Sequence, residues 1–225
     1  MSDTDALFGV LRQSVPASVA DAIERLVREA PDRRLGRINA LDFAVRESLD
    51  EDQAIAGFVH AARLGLFDLS WNVLCPGCGG VLDAHTSLKT VRGDDYTCAL
   101  CAVGYTPTLD EMIEVTFTVS PRVRSIAAHN PHQLKPAEYF RQIYWGSGVD
   151  LPEENYEARV DEFVTEALEV PAGEKAIISL TLAAGFVIVF EPVTHAAQFL
   201  DVKGECKRRS NNPSLKWPDN LVAPE

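Results

Sequence analysis

Basic residues are scarce in this 225-residue chain. Lysine and arginine number 21 against 33 aspartates and glutamates, for a formal charge of −12 and a pI of about 4.9. Nucleic acid and anionic membrane surfaces are held through clustered positive charge, so this balance argues against both and favours a protein or small ligand as partner. Long apolar runs are missing too. The longest, Ala176 to Phe190, is interrupted by Ser179, Thr181 and Gly185 and is too short to span a bilayer. The opening Met1-Ser-Asp-Thr-Asp5 has neither the basic nor the apolar region of a signal peptide, so the expected location is the cytoplasm. Catalytic signatures are absent as well: there is no G-x-S-x-G, P-loop, H-E-x-x-H or G-x-G-x-x-G, and Trp145-Gly-Ser-Gly148 is only a turn-like run of small residues. No catalytic residue is therefore assigned, and the chain is expected not to be an enzyme.

Cysteine is sparse, but four of the five residues fall in two pairs. Cys75-Pro-Gly-Cys78 and Cys98-Ala-Leu-Cys101 are separated by nineteen residues, the C-x2-C…C-x2-C spacing of a tetrathiolate zinc site. Each pair can form a tight turn with both sulfurs facing one ion, and Gly77, Gly79 and Gly80 let the backbone close around it. Four protein ligands complete a tetrahedron and leave no position for water or substrate, so a Zn2+ bound by Cys75, Cys78, Cys98 and Cys101 would hold the fold rather than perform chemistry. Neighbouring C-x-x-C cysteines are poor structural disulfide partners, and neither pair opens a helix in the βαβ context of a thioredoxin-like motif. Cys206, in Gly-Glu-Cys-Lys-Arg-Arg, reads as a bystander whose nearby cations favour mild reactivity.

The 46% hydrophobic and 24% charged composition is that of a globular protein. Residues 1–65 read as helical. Val19, Ile23, Leu26, Val27 and Ala30 recur at helical spacing after a capping-box-like Ser18-Val-Ala-Asp21, and Pro31 closes that segment. A further helix would carry Ile38, Leu41, Val45 and Leu49. Asp50 with Gln53 looks like a new N-cap, opening a helix with Ile55, Phe58, Val59 and Ala62 on its apolar face before Gly65 stops it. The period then changes to two: Phe67, Leu69, Trp71 and Val73 mark a strand leading into the first cysteine turn. Helices joined by a capped turn and followed by a strand have the order of a winged helix-turn-helix. The outer face of the candidate recognition helix offers Glu51, Asp52, Gln53, His60 and Arg63, which suits a groove poorly and favours a helical scaffold packed on strands.

Between the cysteine pairs, residues 81–96 should form a hairpin or a pair of short strands, with Arg92-Gly-Asp-Asp95 supplying the turn and His85 a packing residue rather than a fifth ligand. Ile113, Val115, Phe117 and Val119 mark another strand, ended by Pro121. In the irregular stretch 122–147, His129-Asn-Pro-His132 is a packing loop, since Pro131 disfavours a metal-binding helix. Asp150 to Glu174 carries nine acidic residues against Arg159 alone and reads as a solvated face or a surface for a basic partner. Two strands between Ala176 and Phe190, joined at Ala183-Ala-Gly185, and a third from Ala196 to Val202 are expected to join those near 67–74 and 113–119 in a small antiparallel sheet or sandwich. The expected fold is thus α+β, in four parts: a winged-helix-like helical segment (1–65), strands carrying the zinc ribbon (66–121), a mainly β part with the acidic loop (122–204) and a loose tail (205–225).

The segments Arg37-Ile-Asn-Ala-Leu-Asp-Phe-Ala44, Leu66-Phe-Asp-Leu-Ser-Trp-Asn-Val-Leu-Cys-Pro-Gly-Cys-Gly79, Cys98-Ala-Leu-Cys101 and Ile113-Glu-Val-Thr-Phe-Thr-Val-Ser-Pro-Arg-Val-Arg124 resemble an uncharacterised bacterial domain family whose members often stand N-terminal to class III adenylate/guanylate cyclase domains. The resemblance extends to about Gly204 and implies a regulatory or sensory zinc-containing module in cyclic-nucleotide signalling, with a cyclase or other signalling protein as partner. After Asp201 too little chain remains for a cyclase domain, so cyclase activity is not carried over. Three readings of function follow: a non-catalytic regulatory or interaction module, a winged-helix/zinc-ribbon nucleic-acid-binding protein, or an accessory subunit of an enzyme. A basic surface face would favour the second. A deep pocket joining His129 or His132 to carboxylates would favour the third.

Overall fold

The computed structural model describes residues 3–91, 96–98, 100–101, 103–106, 108, 112–171, 173–177, 179–181, 185–191, 197–202 and 214–215. Among these the chain is α+β, with six helices and small antiparallel sheets. Helices α1 (Asp3–Ser14), α2 (Ala17–Glu29), α3 (Ala40–Glu47) and α4 (Glu51–Arg63) come first. Strands β1 (Phe67–Leu74), β2 (Val81–His85), β3 (Tyr96–Thr97), β4 (Gly104–Tyr105) and β5 (Ile113–Val119) follow. Then come α5 (Pro136–Tyr139), running into a π-turn over Phe140–Tyr144, and α6 (Tyr156–Phe163). Strands β6 (Leu180–Thr181), β7 (Gly185–Phe190), β8 (Ala197–Val202) and β9 (Ser214–Leu215) complete the order.

The helices and the sheet share one core. Phe8 and Leu11 of α1, Val19 and Ile23 of α2, Phe43 of α3 and Phe58 of α4 are buried with Phe67 of β1 and Phe117 and Val119 of β5. Phe58 sits at the centre, its ring centroid 5.0 Å from that of Phe43, 5.3 Å from Phe67 and 5.1 Å from Phe117, geometries that aromatic pairs favour. The helices therefore serve as a scaffold packed on the strands. The Asp50 side chain accepts the Gln53 N–H at 3.0 Å, the expected cap of α4. At α2 the expected cap is replaced: Pro16 precedes the helix, Ser18 lies inside its first turn, and no side chain caps it.

Helix faces differ from the expected ones. In α3, Leu41 and Val45 are 44% and 72% exposed, while Ala40, Phe43 and Ala44 are buried. In α4, Ile55 and Val59 are each 40% exposed, while Ala54, Phe58 and Ala61 are buried. Both helices carry two overlapping apolar stripes. The stripe that combines alanine with phenylalanine faces inward because small residues allow close helix contact around the rings.

The main sheet has order β2-β1-β5, all antiparallel, with Trp71 opposite His85 and Val115. The segment before α3 runs along the outer edge of β5. Ile38 and Phe117 exchange backbone hydrogen bonds at 2.7 and 2.9 Å, and the Val119 N–H donates to the Leu35 carbonyl at 2.9 Å. The insert between the cysteine pairs holds two short strands rather than a hairpin, since β2 pairs with β1 and β3 with β4. Two other strand expectations are corrected. The late strands do not join the main sheet among the described residues: β7 and β8 form a separate ribbon, with Phe186 opposite Asp201. Strand β6 pairs with β9 rather than β7, so two residues of the expected loose tail are in a strand. Phe190 anchors the ribbon, its centroid 5.6 Å from those of Tyr139 and Tyr144. Arg92-Gly-Asp-Asp95, Ala183-Ala184, Ala196, Cys206 and the rest of the tail lie outside the described residues.

Candidate metal centre

Each cysteine pair occupies the tip of an antiparallel ribbon. Between β1 and β2 the first pair forms a knuckle in which the Cys75 N–H donates to the Gly80 carbonyl and the Gly79 N–H to the Cys75 carbonyl, both at 2.8 Å. Between β3 and β4 the Cys98 N–H donates to the Val103 carbonyl at 3.0 Å, and the Cys101 N–H lies 3.4 Å from the Cys98 sulfur. Strand pairing thus fixes two knuckles. Gly79 has φ +73°, a conformation that costs little only without a Cβ, and a Cβ on Gly80 would lie 2.6 Å from the Tyr144 ring.

The two tips meet. The sulfurs of Cys75, Cys78, Cys98 and Cys101 all lie within 4.8 Å of one another, with Cys75 to Cys101 at 3.8 Å and Cys78 to Cys98 at 3.6 Å. Four thiolates at a Zn–S distance of about 2.3 Å around a tetrahedral ion stand about 3.8 Å apart. The spacing therefore suits a metal ion of that size, and all four cysteines are free thiols.

Without a cation, four clustered thiols resist joint ionisation. Burial opposes ionisation of Cys75, but the backbone N–H groups of Cys78 and Gly77 outweigh it and bring this thiol down to about 7. Burial pushes Cys78 well above the ordinary thiol range and Cys101 up to about 11. Tyr105, hydrogen-bonded to Cys75, is pushed up to about 12. One sulfur is thus poised to enter as thiolate, while others must lose protons to a bound cation.

The walls of the centre come from far along the chain. Tyr144 is 1% exposed, its hydroxyl lies 3.9 Å from the Cys98 sulfur, and burial raises its pKa far above the ordinary phenol value. The π-turn, closed by the Trp145 N–H to the Phe140 carbonyl at 3.1 Å, brings Tyr144 and Trp145 to this position. Trp145 bridges to Gly80, and the Gly146 N–H donates to the Gly79 carbonyl at 2.8 Å. A buried polar hub behind the centre was invisible in the sequence. Arg37, at φ +50°, donates to Glu114 at 2.9 Å and to the carbonyls of Ile143 and Trp145. Glu114 also accepts from Asn72 at 3.3 Å and from the Ser147 backbone N–H at 2.9 Å, with the Ser147 hydroxyl as a further donor. Burial pulls the Arg37 pKa down while Glu114 opposes it; a guanidinium stays charged at any physiological pH.

The histidines stand elsewhere. His85 lies 3.0 Å from Asp83 on β2. His129 uses both ring nitrogens, accepting the Ile126 N–H at Nδ1 (3.2 Å) and pairing at Nε2 with the Val119 carbonyl (2.8 Å), so it is a packing residue. His132 is exposed. No helix among the described residues is long and apolar enough to cross a membrane.

A family model described as a family of unknown function, DUF5939, matches residues 1–224, and the chain belongs to that family. No match was found among curated proteins or among solved structures.

Proposed function

We propose that this chain is a zinc-stabilised, non-catalytic regulatory or interaction module that acts by contact with a protein partner. The observation that carries the reading is the cluster of four thiols at tetrahedral spacing. Four protein sulfurs saturate a zinc ion, so the ion would tie the β1–β2 and β3–β4 tips to Tyr144 and the hub behind them instead of activating water. The sequence resemblance to modules that precede class III cyclase domains points to a cyclase or another signalling protein as the partner, in the cytoplasm. The acidic stretch supplies a contact surface. It is exposed along Glu153, Glu154 and Glu157 and is held to the body by Tyr156, whose hydroxyl receives the Trp145 indole N–H at 3.0 Å. Concentrated charge of one sign speeds encounter with a basic patch.

Affinity purification of the tagged chain from its native host, followed by identification of co-purifying proteins and an activity assay of the isolated chain, tests this reading. The expected result is a signalling protein that co-purifies at low salt, with no conversion of ATP or GTP by the chain alone. Cyclic-nucleotide formation by the purified chain would overturn it.

A further inference from the structure

Five arginines of this acidic chain converge on one cavity of about 190 Å³: Arg33, Arg34, Arg37 and Arg46 from the segment around α3, and Arg141 from the π-turn. Among the described residues Asp42 is the one acidic residue on its wall. Two of the five are neutralised within the protein, Arg37 by Glu114 and Arg33 by Glu138. Arg34 and Arg46 have no ion pair among the described residues. Arg141 lies with its guanidinium carbon 4.3 Å from the centre of the Tyr156 ring, and its Nε is buried without an acceptor among the described residues. Three uncompensated guanidinium groups against Asp42 leave a local charge of 3 − 1 = +2, in a chain whose net charge is −12.

A purely structural role explains this poorly. Like charges drawn together repel, and a buried N–H without an acceptor is destabilising. The repulsion is relieved if an anion enters, because guanidinium forks match the oxygens of a phosphate group and bond it more strongly than neutral donors do. A phosphate monoester carries a charge of about −1.5 to −2 at neutral pH, which matches the surplus. Size narrows the choice: small-molecule sites usually span about 300–1,000 Å³, so this cavity suits the phosphate group itself, with the remainder of any ligand outside it.

We infer that the arginine cavity between α3 and the π-turn binds the phosphate group of a small anion, either free phosphate or a phosphorylated metabolite. The inference does not depend on the metal or on the partner. Its position gives it a consequence: Arg37, Trp145 and Ser147 line the cavity and belong to the hub behind the metal centre, so occupancy is felt at the Gly80–Trp145 bridge.

Isothermal titration of the purified chain with inorganic phosphate and with AMP, against chloride at matched ionic strength, tests it. Saturable one-to-one binding of phosphate or AMP is expected. Equal affinities identify the free anion as sufficient, and tighter AMP binding identifies a phosphorylated small molecule. R46Q and R141Q should each weaken binding about tenfold or more, the loss of a charge-assisted contact. Arg46 is exposed, so R46Q tests the site without disturbing the fold, while R159Q on α6, outside the cavity, should bind as the parent does. Absence of binding by both anions, or undiminished binding in both R46Q and R141Q, would overturn the proposal.

Discussion

Glu114→Ala should be among the most damaging substitutions outside the cysteines. The Arg37 and Glu114 side chains are only 13% and 10% exposed, and the carboxylate accepts from Arg37, Asn72 and Ser147. Removing one partner of a buried pair strands the other charge, at a cost of about 3–5 kcal/mol; the residual exposure lets some water reach Arg37 and favours the lower end. For a chain of this size about 3 kcal/mol corresponds to a fall in Tm of roughly 6–12 °C. Urea unfolding of the metal-saturated protein, followed by circular dichroism, measures it. The companion variant is R37M/E114M, which removes both charges but leaves the Ile143 and Trp145 carbonyls without their donor, at about 1–3 kcal/mol each. Its cost should fall short of the sum of R37M and E114M by about 1–3 kcal/mol, the signature of a coupled pair. A cost below about 1 kcal/mol for Glu114→Ala, or strict additivity, would refute the reasoning that the hub fastens strand β5 to the segment lining the metal centre.

Cys98→Ser should destabilise the reduced protein by several kcal/mol, on the order of the metal-binding free energy it forfeits, with loss of bound zinc in the same sample. Zinc affinity, read by competition with a chromophoric chelator, should rise with pH. Cys78 and Cys101 hold their protons through neutrality and must release them on binding, so affinity should fall at least about a hundredfold for each pH unit of acidification, and more steeply below about 7, where Cys75 holds its proton as well. An affinity independent of pH would mean the thiols are not the ligands. Charge reversal at Glu153, Glu154 and Glu157 should slow association with an identified basic partner and leave fold and metal content intact. Among the described residues the only ion pair lost is the exposed 4.0 Å contact of Glu157 with Arg33, which contributes little.

The parts of this architecture that were legible in the sequence are those written in short-range spacing. Period-two alternation located β1 and β5, the pair Asp50 and Gln53 located the start of α4, and two C-x-x-C pairs named the four sulfurs that the fold brings together. Choices between overlapping local patterns were not legible. Leu41 and Val45 make as good a helical stripe as Phe43 and Ala44, and only contact with Phe58 decides which turns inward. Asn72 alternates as a surface residue in β1, yet it is 2% exposed because it bonds Thr116 and Glu114 on the neighbouring strand. Long-range partners left no mark: Arg37 and Glu114 stand 77 residues apart. The arginine cavity was half visible, since Arg33, Arg34, Arg37 and Arg46 crowd one segment, but Arg141 arrives from the π-turn and net charge alone hid the surplus.

The most direct test of the account is the metal content of the chain purified under reducing conditions, measured by elemental analysis together with X-ray absorption at the zinc edge. The account predicts about one zinc per chain, surrounded by four sulfurs at about 2.3 Å, and a large loss of thermal stability on chelation. Folded protein with substantially less than one metal ion, and a melting temperature unmoved by chelator, would contradict it.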